Sequence, residues 1–598
     1  MGLTSRPAFR RGWRYEASRL DRFRRPVPQQ DAPALIPDSK VGQFRAMLRQ
    51  SGVLEVINAK LAGRPGPPGV SIEAVLTGLM LSCVYRRGST NLDDAAEVLG
   101  SQISEAARNS LGIGGLTYSL TDACVSRAAY ARIQRAFDAL TTVFDPARHD
   151  RRRRLTREEA AEVRQRWQED NSAAEAITKL ADLIVHLSIA EAERIGALRH
   201  WHGDIGIDCT PAPTWGLERR RSGAVLDPHA DWYKKGGSDE DDLIWANGLT
   251  IGITAHADPA LASRYPRLAI GMCLHTPNIG EDTATIGILN RFDARFHFPR
   301  AHLALDRGYS DRLIWFYDAI RASERELVID YKKTNLGRQG TTPAGALWFG
   351  GVPVCPHTPG HLLDAARLLA KGTTREDKER GQALMDQALA FRFQTKENAK
   401  QPGGAYRIQC PAAGLSPTVT CPWADERDRT GGRAAANPRD VTIDLTNRRQ
   451  VRSATAGLPR VQPPDIPIDQ RPGCCQRATS TVPPDSNPKH RQKYLHGSTP
   501  WKRPYGAIRA LNEGGNGTLK FIDTDIAESK LRLPRGRVAQ TILIAIQLTI
   551  ANLRQIDIWK RGCGSSADDE DPEARETPDT IDCEIDQAHP EPRLRSPD

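Results

Sequence analysis

Gly203–Thr210 reads GDIGIDCT, and about a hundred residues later Ala301–Asp311 reads AHLALDRGYSD. Each is a short apolar run that ends on an aspartate, Asp208 in the first and Asp306 in the second. The apolar residues would bury as a strand, and the acid would emerge where the strand leaves the core. Two further β-branched segments, LIWANGLTIGITAHA and RLAIGMCLHT, lie between them, followed by a helical EDTATIGILNRF. After Asp306 come a helical RLIWFYDAIRA and a strand-like RELVIDYK. Strands first, then alternating strands and helices, predict an α/β core: a mixed sheet flanked by helices. In open α/β sheets, ligand sites gather outside the carboxyl ends of strands. Two carboxylates there on adjacent strands repel strongly unless a cation sits between them, and Mg²⁺ prefers such oxygen ligands. An aspartate at a strand end is commonplace, so spacing alone leaves Asp208 and Asp306 as candidates.

A third acid lies in Trp501–Lys520, WKRPYGAIRALNEGGNGTLK. At 100° per residue, Tyr505, Arg509, Glu513, Asn516 and Lys520 fall on one helix face. A solvated polar face with an Arg509–Glu513 ion pair is the plain alternative, worth a few tenths of a kcal/mol. Gly514 and Gly515 follow the acid although glycine weakens a helix interior by roughly 1 kcal/mol. Small residues there would let a phosphodiester backbone approach closely. On that reading Arg509 and Lys520 bind phosphates and Glu513 binds metal.

With these motifs in order, the chain resembles an insertion-sequence transposase of the DDE type, in the group with a Tyr–Arg–Glu–Lys signature. That signature has Arg, three residues, Glu, six residues, Lys, and Arg509, Glu513 and Lys520 keep this spacing. Tyr505 stands four before the arginine, where the signature has three, and stays on the same face. The phrase ALDRGYSD resembles the family's second-aspartate motif and IGIDCT, more weakly, its first. Gly514–Gly515 departs from the family, which has a bulkier residue after the first glycine. The likeness spans roughly Asp204 to Lys560.

The resemblance implies a ribonuclease H-like catalytic core. Asp208, Asp306 and Glu513 would hold two Mg²⁺ ions, for which Mn²⁺ can substitute, and these would serve in-line attack by water or a 3′-hydroxyl on phosphorus. Arg509 and Lys520 would position the DNA end, with Tyr505 stacking or bonding to phosphate. The implied partners are double-stranded DNA with terminal inverted repeats, target DNA and a second copy of the chain on DNA. Two alternatives use the same residues: a metal-dependent nuclease without strand transfer, and a DNA-binding protein derived from an inactive transposase.

The rest of the chain divides by composition. Residues 1–35 form a basic tail, and 36–200 carry helical spacing throughout, an all-α N-terminal domain. Residues 201–336 and 497–562 are the two parts of the core. Residues 337–496, rich in Pro, Gly and Arg, predict an irregular inserted subdomain, because a loop of that length would be abnormal. Residues 563–598 hold twelve acids against three arginines and form an acidic tail. The formal net charge is +10 over 598 residues, so most of the chain is strongly basic and a polyanionic partner is expected. Arg151–Arg154 is a candidate for DNA phosphates, and Ser71–Gly100 for a helix-turn-helix.

Eleven cysteines, an odd number, argue against a disulfide framework and for a reducing compartment. With no apolar leader, the expected location is the cytoplasm. The longest apolar run, Val538–Leu553, contains Gln540 and Gln547 and reads as a buried helix with no membrane partner. Within the insert, Cys355, Cys410, Cys421 and Cys475 could donate four thiolates to a structural Zn²⁺, with His357 and His361 as substitutes. The spacings lack the two-residue loops of common zinc modules, and free buried thiols are the competing reading.

Overall fold

The structure is a computed structural model that describes residues 35–62, 69–147, 149, 153–216, 223–234, 243–400, 404–414, 416–430, 457–486, 489–521 and 524–564. The two expected charged tails lie outside the described residues, apart from Leu35, Cys563 and Gly564.

The N-terminal part is helical, as its spacing predicts: α1 (Asp38–Gln50), α2 (Val53–Leu61), α3 (Ile72–Tyr85), α4 (Leu92–Glu97), α5 (Glu105–Ser110), α6 (Ala123–Val143), α7 (Arg157–Glu169) and α8 (Asn171–Arg194). Starts are set by side chains that satisfy orphan N–H groups. Ser71 accepts from Ala74 N, Ser104 from Ala107 N, and Thr156 forms a capping box with Glu159. In α6 the buried residues Ala129, Ile133, Phe137 and Leu140 recur at steps of four, four and three, one apolar stripe facing the core.

The central sheet comprises β1 (Asp204–Pro213), β2 (Asp231–Lys234), β3 (Leu243–Ala255), β4 (Ala269–His275), β5 (His302–Leu305) and β6 (Glu326–Ile329), in the order β2–β3–β1–β5–β6 with β4 also paired to β3. It is mixed. β1, β5 and β6 run parallel, whereas β3 is antiparallel to β1, β2 and β4. Helix α9 (Glu281–Arg295) packs on β3 and β4, and α10 (Ile314–Ala322) joins β5 to β6.

The insert is more regular than its composition predicts. Strands β7 (Arg338–Thr341), β8 (Leu347–Phe349) and β9 (Val352–Val354) form one antiparallel sheet. A helical stretch follows, α11 (Gly360–Leu363), α12 (Ala365–Lys371) and α13 (Arg375–Ala388), interrupted where Thr374 caps α13. A second antiparallel sheet follows, β10 (Gln394–Glu397), β11 (Tyr406–Gln409) and β12 (Thr479–Val482), with α14 (Pro422–Thr430) and α15 (Gly473–Gln476) beside it. Buried Trp348, Phe349, Phe391, Phe393 and Val482 give the insert apolar packing. The proline-rich stretches mislead because extended backbone needs a partner strand, and here that partner is distant in sequence.

Two long helices come last among the described residues, α16 (Thr499–Phe521) and α17 (Arg537–Gly564). By length and composition α17 is the one described helix apolar enough to cross a membrane, and 78% of its apolar window is buried inside the protein. It packs on α8, α3 and β4, and its polar residues bridge to these neighbours. Asn552 donates to Ser188 Oγ at 2.9 Å and accepts from Ala269 N at 2.8 Å. Gln540 and Gln547 accept from buried Arg532 at 3.2 and 3.1 Å. Polar groups satisfied this way are retained in a protein core.

Candidate active site under α16

The ladder between β1 and β5 pairs Ile205 with Leu303, Gly206 with Ala304 and Ile207 with Leu305. Asp208 and Asp306 are each the next residue, so they stand side by side on parallel neighbours, where strands lie about 4.8 Å apart. Asp306 ends its strand as expected and caps the following turn, accepting from Gly308 N at 2.9 Å. Asp208 does not end its strand: β1 continues to Pro213 along antiparallel β3. It is the first residue beyond the parallel ladder, so the predicted placement holds towards β5 and fails towards β3.

The register extends one strand further. Leu305 pairs with Ile329, which puts Asp330 beside Asp306 and makes a row of three aspartates. Asp330 is not among the acids the sequence singles out, although RELVID has the same apolar-run-then-acid form as the other two. It bonds to His496 Nε2 at 3.0 Å. Burial works against its carboxylate, but the bond and charge of His496, the Tyr331 N–H and Arg307 outweigh it and hold the pKa below the ordinary value. His496 in turn stacks on Tyr331 at 4.2 Å, lies 4.5 Å from Trp501, and Trp501 stacks on Tyr505 at 4.4 Å.

Helix α16 crosses this row because the sheet face beneath it is small. A Cβ on Gly206 would meet Asn512 at 3.0 Å and Ile508 at 3.3 Å, and Ile508 packs with Ala255 and Ala304. One turn on, Asn516 Nδ2 donates to Asp208 Oδ2 at 3.2 Å. Ile508, Asn512 and Asn516 recur every four residues, the spacing of one helix face. Gly515 is buried, and a Cβ there would stand 3.1 Å from Ile253 Cδ1. This corrects the reading of that glycine as a door for a phosphodiester: Gly515 lets the helix sit close to β3. Gly514 is exposed, with the Arg267 guanidinium 2.7 Å from where its Cβ would be.

The expected helix face is realised in part. Arg509 Nε bonds to Glu513 Oε1 at 2.8 Å, the ion pair of the plain reading. Arg509 is half-buried, which disfavours its charge, yet Tyr505, Glu513, Asp306 and Asp208 together hold its pKa above the ordinary value. The guanidinium therefore lies in the shared field of all three predicted acids. Burial, with Asp330 and Asp306 adding, pushes the Tyr505 phenol up, against the opposing pull of Arg509. Lys520 lies in α16, and its side chain is outside what the structure describes.

Asp208, Asp306 and Glu513 are hard oxygen donors of the kind Mg²⁺ takes. Among the described residues, however, no three acidic, histidine or cysteine side chains already surround one point closely enough to hold a metal ion. Glu513 is exposed and turned to Arg509. The helix that carries Glu513 lies over the strands that carry the two aspartates, while the glutamate side chain itself pairs with Arg509.

Other expectations resolve as follows. Arg153 pairs with Glu159 at 2.7 Å and Arg154 donates to Ala224 O at 3.3 Å, so these two are engaged within the protein; Arg151 and Arg152 lie outside the described residues. Across Ser71–Gly100, α3 is buried from Ile72 through Cys83 except at Glu73, and α4 carries Asp93 and Asp94. In the insert, Cys355, Cys410, Cys421 and Cys475 line one small cavity together with His357, while His361 is exposed and lies apart. Burial pushes the Cys355, Cys410 and Cys421 thiols up.

Compared with protein-family models, curated proteins and solved structures, the chain matches none.

Proposed function

We propose that the protein is a Mg²⁺-dependent DNA strand-transfer enzyme of the DDE transposase type, built on a ribonuclease H-like core and acting at the ends of a mobile element. One observation carries the reading: Asp208 and Asp306 are adjacent across parallel β1 and β5, under a helix whose Asn516 donates to Asp208 and whose Arg509 pairs with Glu513. The mixed sheet, with α16 laid over the parallel strands, is the frame such a core requires. The net charge of +10 suits a polyanionic substrate.

In this reading Asp208, Asp306 and Glu513 would hold the metal, once Glu513 is released from Arg509. Bound Mg²⁺ would supply nucleophile activation and stabilisation of the leaving oxygen. Asn516 fixes the Asp208 carboxylate. Arg509, freed of its ion pair, turns to a DNA phosphate, and the Trp501–Tyr505 stack sets the wall beside it.

Joining of a labelled element end to target DNA tests the proposal. The wild type should give Mg²⁺-dependent joined products, and Asp208→Ala, Asp306→Ala and Glu513→Ala should each lose them while still retaining the labelled end. Activity surviving in any of these variants rejects the metal-ligand assignment. One observation favours the second reading, a DNA-binding derivative: Glu513 is paired with Arg509 rather than facing the aspartates. Retention of DNA by the wild type with no cleavage and no joining would establish it, and cleavage without joining would mark a nuclease.

A further inference from the structure

We propose that Cys355, Cys410, Cys421 and Cys475 bind a single Zn²⁺ that fastens the insert. The four come from separate elements, the ends of β9 and β11, the start of α14, and α15, and Cys355 and Cys475 are 120 positions apart. All four nevertheless line one cavity, with Phe393, Val419 and Trp423 closing it.

Three of them share a local design that sequence spacing conceals. Cys355, Cys410 and Cys421 are each followed by proline, and each opens a turn. Thr358 N donates to Cys355 O at 3.0 Å, Ala413 N to Cys410 O at 2.9 Å, and Ala424 N to Cys421 O at 3.0 Å. Proline in the second position pre-sets such a turn. The same Cys-Pro turn used three times around one space, with a fourth cysteine facing it, is a constellation that buried free thiols do not require.

The chemistry and the size select the ion. The lining offers four thiols, the His357 imidazole and the Arg427 guanidinium, and no carboxylate; sulfur donors without carboxylate oxygens select a thiophilic cation over Mg²⁺. Four thiolates suit a tetrahedral structural zinc. The cavity holds about 10 Å³, roughly the space of one water-sized sphere, enough for one ion and too little for a multi-iron cluster. Side chains do not yet surround one point at coordination distance among the described residues, so binding draws the four sulfurs inwards. This inference does not depend on the proposed DNA chemistry.

The test is zinc content of the full-length protein purified without added metal or chelator, by elemental analysis and by release on thiol modification. One zinc per chain is expected. Cys410→Ser and Cys475→Ser should each lose most of it, whereas Cys124→Ser, at an exposed thiol in α6, and Asp208→Ala should keep it. A zinc-free wild type, or zinc retained in both insert variants, overturns the proposal. Should the insert variants not fold, Co²⁺-loaded wild type decides: thiolate-to-cobalt absorption supports the site, and its absence rejects it. Loss of strand transfer with zinc retained would bear on the proposed function alone.

Discussion

Asn516 reaches from α16 to Asp208 on β1, its side-chain amide 3.2 Å from the carboxylate, although the two are 308 positions apart. The bond ties the helix that carries Glu513 to the strand that carries the first acid, and it orients an oxygen that the proposed metal would use.

Asn516→Ala should therefore weaken chemistry more than folding. Losing one neutral-to-charged hydrogen bond costs roughly 1.5–3 kcal/mol at most, and loss of a group that orients a metal ligand typically lowers activity about 10–100-fold. Cleavage rates at saturating DNA, measured beside urea unfolding, check the split. An unchanged rate would show that Asp208 needs no such support.

Arg509 has the opposite role in the absence of metal, because it neutralises the acids around it. Arg509→Ala should lower the melting temperature in chelator and enlarge the rise produced by Mg²⁺. The reason is that unscreened carboxylates repel and so bind a cation more eagerly. Thermal melts of wild type and variant with EDTA or Mg²⁺ give the comparison, and an equal Mg²⁺ response in both contradicts it.

The helix glycines separate by what lies over them. Gly515→Leu would drive a side chain into Ile253 and should destabilise by about 1–3 kcal/mol, with part recovered when combined with Ile253→Ala. Gly506 is exposed, and nothing lies within 4 Å of where its Cβ would stand. Alanine should be tolerated there and gain about 1 kcal/mol. Denaturant unfolding reads both.

Asp204 pins β1 to β5, accepting from His302 N at 2.9 Å, from His302 Nδ1 at 2.8 Å and from Ala257 N at 2.8 Å. Burial opposes its charge, but the His302 and Ala257 bonds outweigh that and hold its pKa below the ordinary value. A depressed folded pKa stabilises above the unfolded value of about 3.9, and that contribution is lost as pH falls through the folded pKa. Asp204→Asn should thus cost about 1.5–3 kcal/mol at pH 7, a difference that shrinks in acid. Urea unfolding at neutral pH and near pH 3 measures it.

Much is legible before folding because local chemistry carries it. The helical spacing of α1–α8, the strand-then-acid form at Asp208 and Asp306, and the common face of Tyr505, Arg509 and Glu513 each depend on neighbours within a few residues. The four insert cysteines can be named from the sequence but not joined, since their turns are local while their convergence is not. Asp330 is legible in form, yet only the β5–β6 register gives it meaning. Gly515 reads as an opening to solvent because a sequence does not say which side of a helix meets the sheet.

The amino-acid order by itself determined the helices of the N-terminal part, the helices and apolar strands of the core and which acids end apolar runs, because backbone periodicity and burial of side chains act over short range; the strands of the insert it did not. Tertiary structure alone decided that Asp208, Asp306 and Asp330 form a row, that Asn516 holds the first of them, and that Glu513 faces Arg509. Those relations arise from strand register and from one helix crossing a sheet, where partners hundreds of positions apart compete for the same space and charge.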